Sequence, residues 1–321
     1  MVKLETGSGR LASYERMGVM EQKIKQFIDR MIIENPGIEA VALANKDEVL
    51  LEHRFVKLQS RNIYSHTKSF MSTAAGIALE EGALTLEDPL VKYFPDKVPE
   101  VHQKWLREIR FRHLLTMSSG FGKAYLMIDG RRHGEGLPNY LEYMMSREVL
   151  KKPGTEFDYS TADSHLAGLM LAKAVGKNLN VYLYEKLFRP LGMDYPIWEC
   201  DPQGNPNGGS GLFLNITDQI KLGQLYLADG VWKGERILSS LWIKEATRKQ
   251  IETSGGDSWN CGYGYQFWMM PQTGAYRADG AYGQITIVLP KQGYVVAVQC
   301  SEYGNFEKVK QALNEIVLAD L

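Results

Sequence analysis

Strand-like runs stand near both ends of this 321-residue chain, and the long stretch between them reads as helix and loop. At the N-terminal side, residues 38–44 and 49–55 are apolar runs separated by Asn45-Lys46-Asp47, which is turn chemistry, so they read as a hairpin. Near the C-terminus, residues 265–270, 275–278, 284–289 and 294–299 are short β-rich runs punctuated by Gly274, Gly280, Gly283 and Gly293. Strands that follow one another through short turns pair antiparallel. The chain is therefore expected to build one antiparallel sheet from both of its ends, with a mostly helical region inserted between them, in an α+β fold.

The helical pattern supports this. Met17, Met20, Ile24, Phe27, Ile28, Met31 and Ile32 recur at three- and four-residue steps, which predicts an amphipathic helix over residues 17–33. A last helix is expected over 306–318. Both would lay an apolar stripe on the sheet. The Ala-, Met- and Leu-rich stretch after Ser65 predicts a helix closed by Gly82. Further helices are expected over 216–228 and 239–253. Residues 130–136 (GRRHGEG) and 202–211 (PQGNPNGGSG) read as glycine-rich loops, the second as a segment boundary.

Composition narrows the function. With 37 basic and 38 acidic residues the net charge is −1, so no bulk electrostatic attraction to nucleic acid or a membrane surface is expected. Cys200, Cys261 and Cys300 form no CxxC pair, which speaks against a disulfide framework or a structural zinc site. The N-terminal residues lack the apolar core of a signal peptide, and no apolar run approaches the roughly 20 residues of a membrane span, so a cytoplasmic location is the expectation. Nothing in the sequence sets the oligomeric state.

Ser65-His66-Thr67-Lys68 opens the helix that Gly82 closes. Residues three apart share a helix face, so the Lys68 amine can lie beside the Ser65 hydroxyl. A serine hydroxyl needs a neighbouring base to become a nucleophile. A lysine serves as that base only where burial or nearby positive charge keeps it neutral. A serine and a lysine at this spacing also occur by chance, as a helix cap with a solvated amine. Phe70, Met71, Ala74, Ala75, Ala78 and Leu79 follow directly and argue for a buried helix, where a lysine is not idle.

In order along the chain come Asp88-Pro89-Leu90-Val91-Lys92-Tyr93-Phe94-Pro95, Arg112-His113-Leu114-Leu115-Thr116-Met117-Ser118-Ser119-Gly120, Pro153-Gly154-Thr155-Glu156-Phe157-Asp158-Tyr159-Ser160-Thr161, the stretch from Gly230 to Ser239, and Gly280-Ala281-Tyr282-Gly283-Gln284. With the SxxK segment, this series resembles the serine β-lactamase-related superfamily: penicillin-binding proteins, class C β-lactamases, and the esterases and amide hydrolases that share their fold. The resemblance runs from about residue 38 to the end. It implies Ser65 as nucleophile, Lys68 as base and Tyr159 as the acid/base tyrosine of a Tyr-x-Asn motif. Thr161 stands where that motif has Asn, which leaves it a positioning role. A phenol needs a cationic neighbour to titrate near neutrality, and Lys68 is the candidate.

The third motif of the family, Lys-Thr-Gly or His-x-Gly, is Ala278-Asp279-Gly280 here. The cation is missing, and Arg277 points to the opposite strand face from Ala278. That argues against β-lactams and D-Ala-D-Ala peptides as substrates and resembles the branch of 6-aminohexanoate-oligomer hydrolases and related esterases. The implied oxyanion hole is the backbone N–H groups of Ser65 and Ala281, with Asp279 and Gly280 beside the substrate. The implied activity is hydrolysis of a small ester or amide through an acyl-enzyme, with no metal or organic cofactor. The alternatives are a β-lactamase or D-Ala peptidase, or a non-catalytic binding or sensor module. The division expected is residues 1–83 and 212–321 as the sheet domain and 84–211 as the helical domain, with the active site between them. His66, His113 and His165 read as structural, Asp163 and Glu156 form no metal-like cluster, and Trp259, Tyr263, Tyr265, Phe267 and Trp268 read as strand packing, one of them a candidate to line the pocket.

Overall fold

The computed structural model describes residues 18–100, 104–253, 259–272 and 274–321. Six strands form one sheet: β1 (Ile38–Ala44), β2 (Val49–Arg54), β3 (Trp268–Met269), β4 (Tyr276–Gly280), β5 (Gln284–Leu289) and β6 (Tyr294–Cys300). Their order in space is β2-β1-β6-β5-β4-β3, and each neighbouring pair is antiparallel. The N-terminal hairpin thus joins the C-terminal meander through β1 and β6. Around the sheet lie helices α1 (Val19–Glu34), α2 (Thr67–Glu80), α3 (Thr161–Val175), α4 (Ile216–Leu227) and α5 (Phe306–Ala312), with shorter helical turns between them. This is the antiparallel sheet flanked by terminal helices that the sequence predicts.

The two sheet faces differ because side chains alternate along a strand. Val41 and Leu43 of β1 point into the core shared with α1 and α5. Ala40, Ala42 and Ala44 point the other way, into the larger core that takes in α2, α3 and α4. Small side chains on that face let helix α4 approach closely. A Cβ added at Gly223 of α4 would lie 2.4 Å from Val295 Cγ1 and 2.8 Å from Thr286 Cγ2. In the turn between β1 and β2, Asn45 Oδ1 accepts the N–H groups of Asp47 and Glu48 at 2.8 Å, which fixes the hairpin.

Several boundaries move for tertiary reasons. The buried stripe of α1 is Met20, Ile24, Phe27, Ile28 and Met31, whereas Ile32 is 57% exposed; Met17 lies outside the described residues. The helix expected over 239–253 is only Ser240–Ala246. There the Ala246 carbonyl accepts Tyr265 N–H at 2.9 Å, and Gln250 and Ile251 bond to Tyr263 instead of continuing the helix. The same contacts shorten the strand expected over 265–270 to Trp268–Met269, with Gln266 left-handed at φ 66°. The last helix passes after Ala312 into a wider turn, Leu313–Val317. The loop over 130–136 begins inside a short helix, Ile128–Arg132. Among the described residues no helix is long and apolar enough to cross a membrane.

Candidate active site

Ser65 sits in a tight helical turn, Tyr64–His66, that leads directly into α2. Tyr64 is left-handed, at φ 47°, a conformation costing a non-glycine residue about 1–2 kcal/mol. It is held there by its surroundings. Its N–H donates to Asn62 Oδ1 at 2.8 Å, its hydroxyl donates to Glu302 Oε2 at 2.9 Å, and its ring meets Tyr282 edge-on at 5.0 Å. The turn leaves Ser65 half-buried and directs His66 into the sheet, where Nε2 lies 2.9 Å from Thr286 Oγ1.

His66 is fully buried, and desolvation pushes its pKa down to about 3. A folded-state pKa below the unfolded value means the unfolded chain takes up a proton that the native state refuses. Stability from this group is therefore complete above about pH 6.5 and falls as pH drops, by up to about 1.4 kcal/mol per pH unit. Urea denaturation of wild type and His66→Asn between pH 7 and pH 5 should show a slope against pH that is steeper in wild type by about 1 kcal/mol per unit. Equal slopes would place the acid sensitivity elsewhere.

Lys68, the second residue of α2, is 1% exposed. Its Nζ lies 3.1 Å from Ser65 Oγ, 2.7 Å from the Gly209 carbonyl oxygen and 3.4 Å from Thr161 Oγ1, and stands 5.0 Å over the centre of the Tyr159 ring. Burial holds its pKa well below the ordinary lysine range, the Arg131 guanidinium lowers it further, and the Asp163 carboxylate opposes both. A neutral amine has two N–H groups and one lone pair. Gly209 O and Thr161 Oγ1 accept the N–H groups, which leaves the lone pair for the Ser65 hydroxyl. Asp163, buried on α3, accepts the Ser119 hydroxyl at 2.7 Å and the Ser119 N–H at 3.3 Å, and burial raises its pKa to about 7.

The Ser65 side chain lies close enough to the Tyr159 hydroxyl to lower its pKa, against the effect of burial. The Tyr159 ring packs against two members of the aromatic group, 5.4 Å from Trp268 and 6.2 Å from Tyr263. The expectation that Lys68 would depress this phenol is not met. Burial raises its pKa above the ordinary tyrosine value, and Asp279 adds to the rise while Arg277 opposes it. Tyr159 therefore rests protonated, and the amine beside it is the group free to accept a proton.

On β4, Ala278 is buried in the larger core. Arg277 and Asp279 share the opposite face, with Arg277 Nε 2.8 Å from Asp279 Oδ2. The guanidinium also bonds to Trp259 and Asn260 and lies over the Trp259 ring at 4.7 Å and the Trp268 ring at 5.5 Å. Gly280 touches the nucleophile turn itself. A Cβ there would lie 2.1 Å from the Ile63 carbonyl oxygen and 3.1 Å from His66 N. Ala281 follows, exposed, before Tyr282 at φ 62°. The structure thus gathers Ser65, Lys68, Tyr159 and Thr161 in direct contact, sets Gly280 against their turn, and ties the Asp279 carboxylate to Arg277.

Sequence reasoning missed Arg131, Asp163 and Gly209. The segment 202–211, expected as a boundary, is in its second half buried against the site. A Cβ at Gly208 would lie 2.3 Å from Ser164 O, and one at Gly209 would lie 2.9 Å from Thr161 O and 3.1 Å from Lys68 Nζ. Paired glycines are the signal for such close backbone approach. Arg131 carried no signal, because its role depends on where its loop folds.

The fold is shared with known proteins. A D-alanyl-D-alanine carboxypeptidase, provisionally named as such, of Escherichia coli K12 is 26% identical over 249 residues, covering 66% of this chain and 57% of its own length. The chain spans 57–66% of the length of the first curated relatives it matches. Among solved structures, the hydrolase EstCE1, described as having promiscuous acyltransferase activity, superposes with a TM-score of 0.74 at 18% identity, over 93% of this chain and 98% of its own. A provisionally named 6-aminohexanoate-dimer hydrolase from Bacillus anthracis gives 0.72 at 17% identity, over 90% and 81%. Residues 41–320 match the model of the Beta-lactamase family. The chain belongs to that family, within the superfamily of serine hydrolases that includes β-lactamases and penicillin-binding proteins.

Proposed function

We propose that this chain hydrolyses a small ester or amide through an acyl-enzyme on Ser65. The observation that carries the reading is the buried, neutral-leaning Lys68 amine 3.1 Å from Ser65 Oγ. Ser65 Oγ attacks the substrate carbonyl carbon while its proton passes to Lys68 Nζ. The oxyanion accepts from the backbone N–H groups of Ser65 and Ala281. The proton then returns, through the Tyr159 hydroxyl, to the departing alcohol or amine. Water attacks the acyl-serine by the same relay, which releases the acid and restores Ser65. Thr161 positions the amine; Asp279 and Gly280 border the substrate.

The charge around the site favours a neutral acyl group. Ala278 brings no cation, and Arg277 is engaged by Asp279. A substrate carboxylate finds no partner on β4. The rival substrate class, β-lactams or D-Ala peptides, is favoured by the name of the E. coli relative. The test is a fluorophosphonate probe with peptide mapping, beside a panel of p-nitrophenyl esters, anilides and nitrocefin. Labelling at Ser65 with ester or anilide turnover is the expected result. Nitrocefin turnover above that of the esters would favour the rival. No labelling and no turnover would leave a binding module on this fold.

A further inference from the structure

The cation missing from β4 has a counterpart on the opposite wall. Arg131 lies in the segment inserted between the sheet strands, and its side chain is 5% exposed. Its Nη1 donates to the Leu126 carbonyl at 2.5 Å, and Nε and Nη2 reach Glu199 at 3.2 Å. Leu126 is itself fixed, left-handed at φ 53°, with its N–H on Glu135 Oε2 at 2.9 Å. The glycines of this loop are needed to fold it there. A Cβ at Gly130 would lie 2.1 Å from Glu135 Oε2, and one at Gly136 2.6 Å from Leu126 Cδ2.

Both anchors of Arg131 lead to Lys68. Met127, next to Leu126, places Sδ 3.3 Å from Thr161 Oγ1, which is 3.4 Å from Lys68 Nζ. Glu199 N–H donates to Gly211 O at 2.8 Å, and Asn207 N–H to Glu199 O at 2.8 Å, so the Glu199 backbone brackets Gly209, whose carbonyl takes the Lys68 amine at 2.7 Å. The Glu199 side chain is 38% exposed whereas the guanidinium is inside. The negative half of the pair is thus the better screened by solvent, so that within the pair it is the Arg131 charge that acts on Lys68.

We infer that Arg131 is a positioning residue for the hydrolytic reaction, a buried guanidinium held by Glu199 and the Leu126 carbonyl that supplies at Lys68 the positive potential absent from Ala278. The inference rests on the proposed hydrolase reading. The groups facing Lys68 are Ser65 on its own turn, Tyr159 and Thr161, the Asp163 carboxylate on α3, the Gly209 carbonyl and Arg131. Of the two charged groups, Arg131 favours the neutral amine and Asp163 opposes it. The Arg277–Asp279 pair acts in opposite senses on Tyr159.

The test is the pH dependence of fluorophosphonate labelling of Ser65, which requires no knowledge of the natural substrate, with kcat/KM for a p-nitrophenyl ester measured beside it. Arg131→Gln should move the acid limb to higher pH by about half to one unit, a 3- to 10-fold loss of labelling rate below the limb. Arg131→Lys keeps the charge and should keep the limb in place. Glu199→Gln removes the opposing charge and should move the limb to lower pH, so the idea stays testable if Arg131→Gln does not fold. An unmoved limb in a folded Arg131→Gln or Glu199→Gln protein overturns the inference, whatever happens to the rate. Absence of wild-type labelling would instead sink the hydrolase reading itself.

Discussion

Lys68→Met is expected to lower kcat/KM for any ester the wild type hydrolyses by at least about a thousandfold while leaving the protein folded. The Met side chain fills nearly the same volume, and the lost group is the only amine in contact with Ser65 Oγ among the described residues. The fold has reason to tolerate the change. A lysine driven neutral by burial weakens the native state by about 1.4 kcal/mol for each unit its pKa falls between the unfolded value and the working pH. Removing it lifts that cost. Against this stands the Gly209 carbonyl, left without its 2.7 Å partner, at about 1–3 kcal/mol. The midpoint of urea unfolding should therefore stay near that of wild type or rise. Ser65→Ala should be as inactive as Lys68→Met, and the double variant no worse, because the two side chains act as a unit. An active Lys68→Met would show that another group takes the serine proton.

Gly280→Ala should be costly in both activity and stability. The added methyl would lie 2.1 Å from the Ile63 carbonyl oxygen, a backbone atom that cannot swing aside. Overpacking of that kind costs about 1–3 kcal/mol or more. The segment it displaces carries Tyr64 and Ser65, and a shift of about 1 Å at a reacting group costs on the order of a hundredfold in rate. Circular dichroism melts and ester kinetics on the variant should both show the loss. A variant with normal kcat/KM would mean that β4 and the nucleophile turn are not rigidly apposed.

Much of the site was legible because its members are close in sequence or fixed by periodicity. Ser65 and Lys68 are one helical turn apart, and the apolar run that follows them already says that the helix is buried. Tyr159 and Thr161 were found through the segment around them, since a tyrosine among 17 has no local signature of its own. What the residues around them do was less legible. The acidity of Tyr159 was misjudged because the burial that keeps its phenol protonated also disfavours a charge on the Lys68 amine, 5.0 Å over its ring, which was expected to offset it. The expected helix over 239–253 failed after Ala246 because the backbone there bonds to residues 263–265, a pairing no local propensity encodes.

The sequence by itself determined the α+β architecture, the central helix and its Ser65–Lys68 pair, because period-two and 3.6-residue patterns are local records of which face is buried. Only the tertiary structure decided the electrostatics of that pair. Arg131, Asp163 and Gly209 stand 63, 95 and 141 residues beyond Lys68 in the chain, and each meets it only through the packing of a separate loop or helix. Burial and charge, which set whether a lysine can act as a base, depend on distance in space, and a linear pattern does not carry that distance.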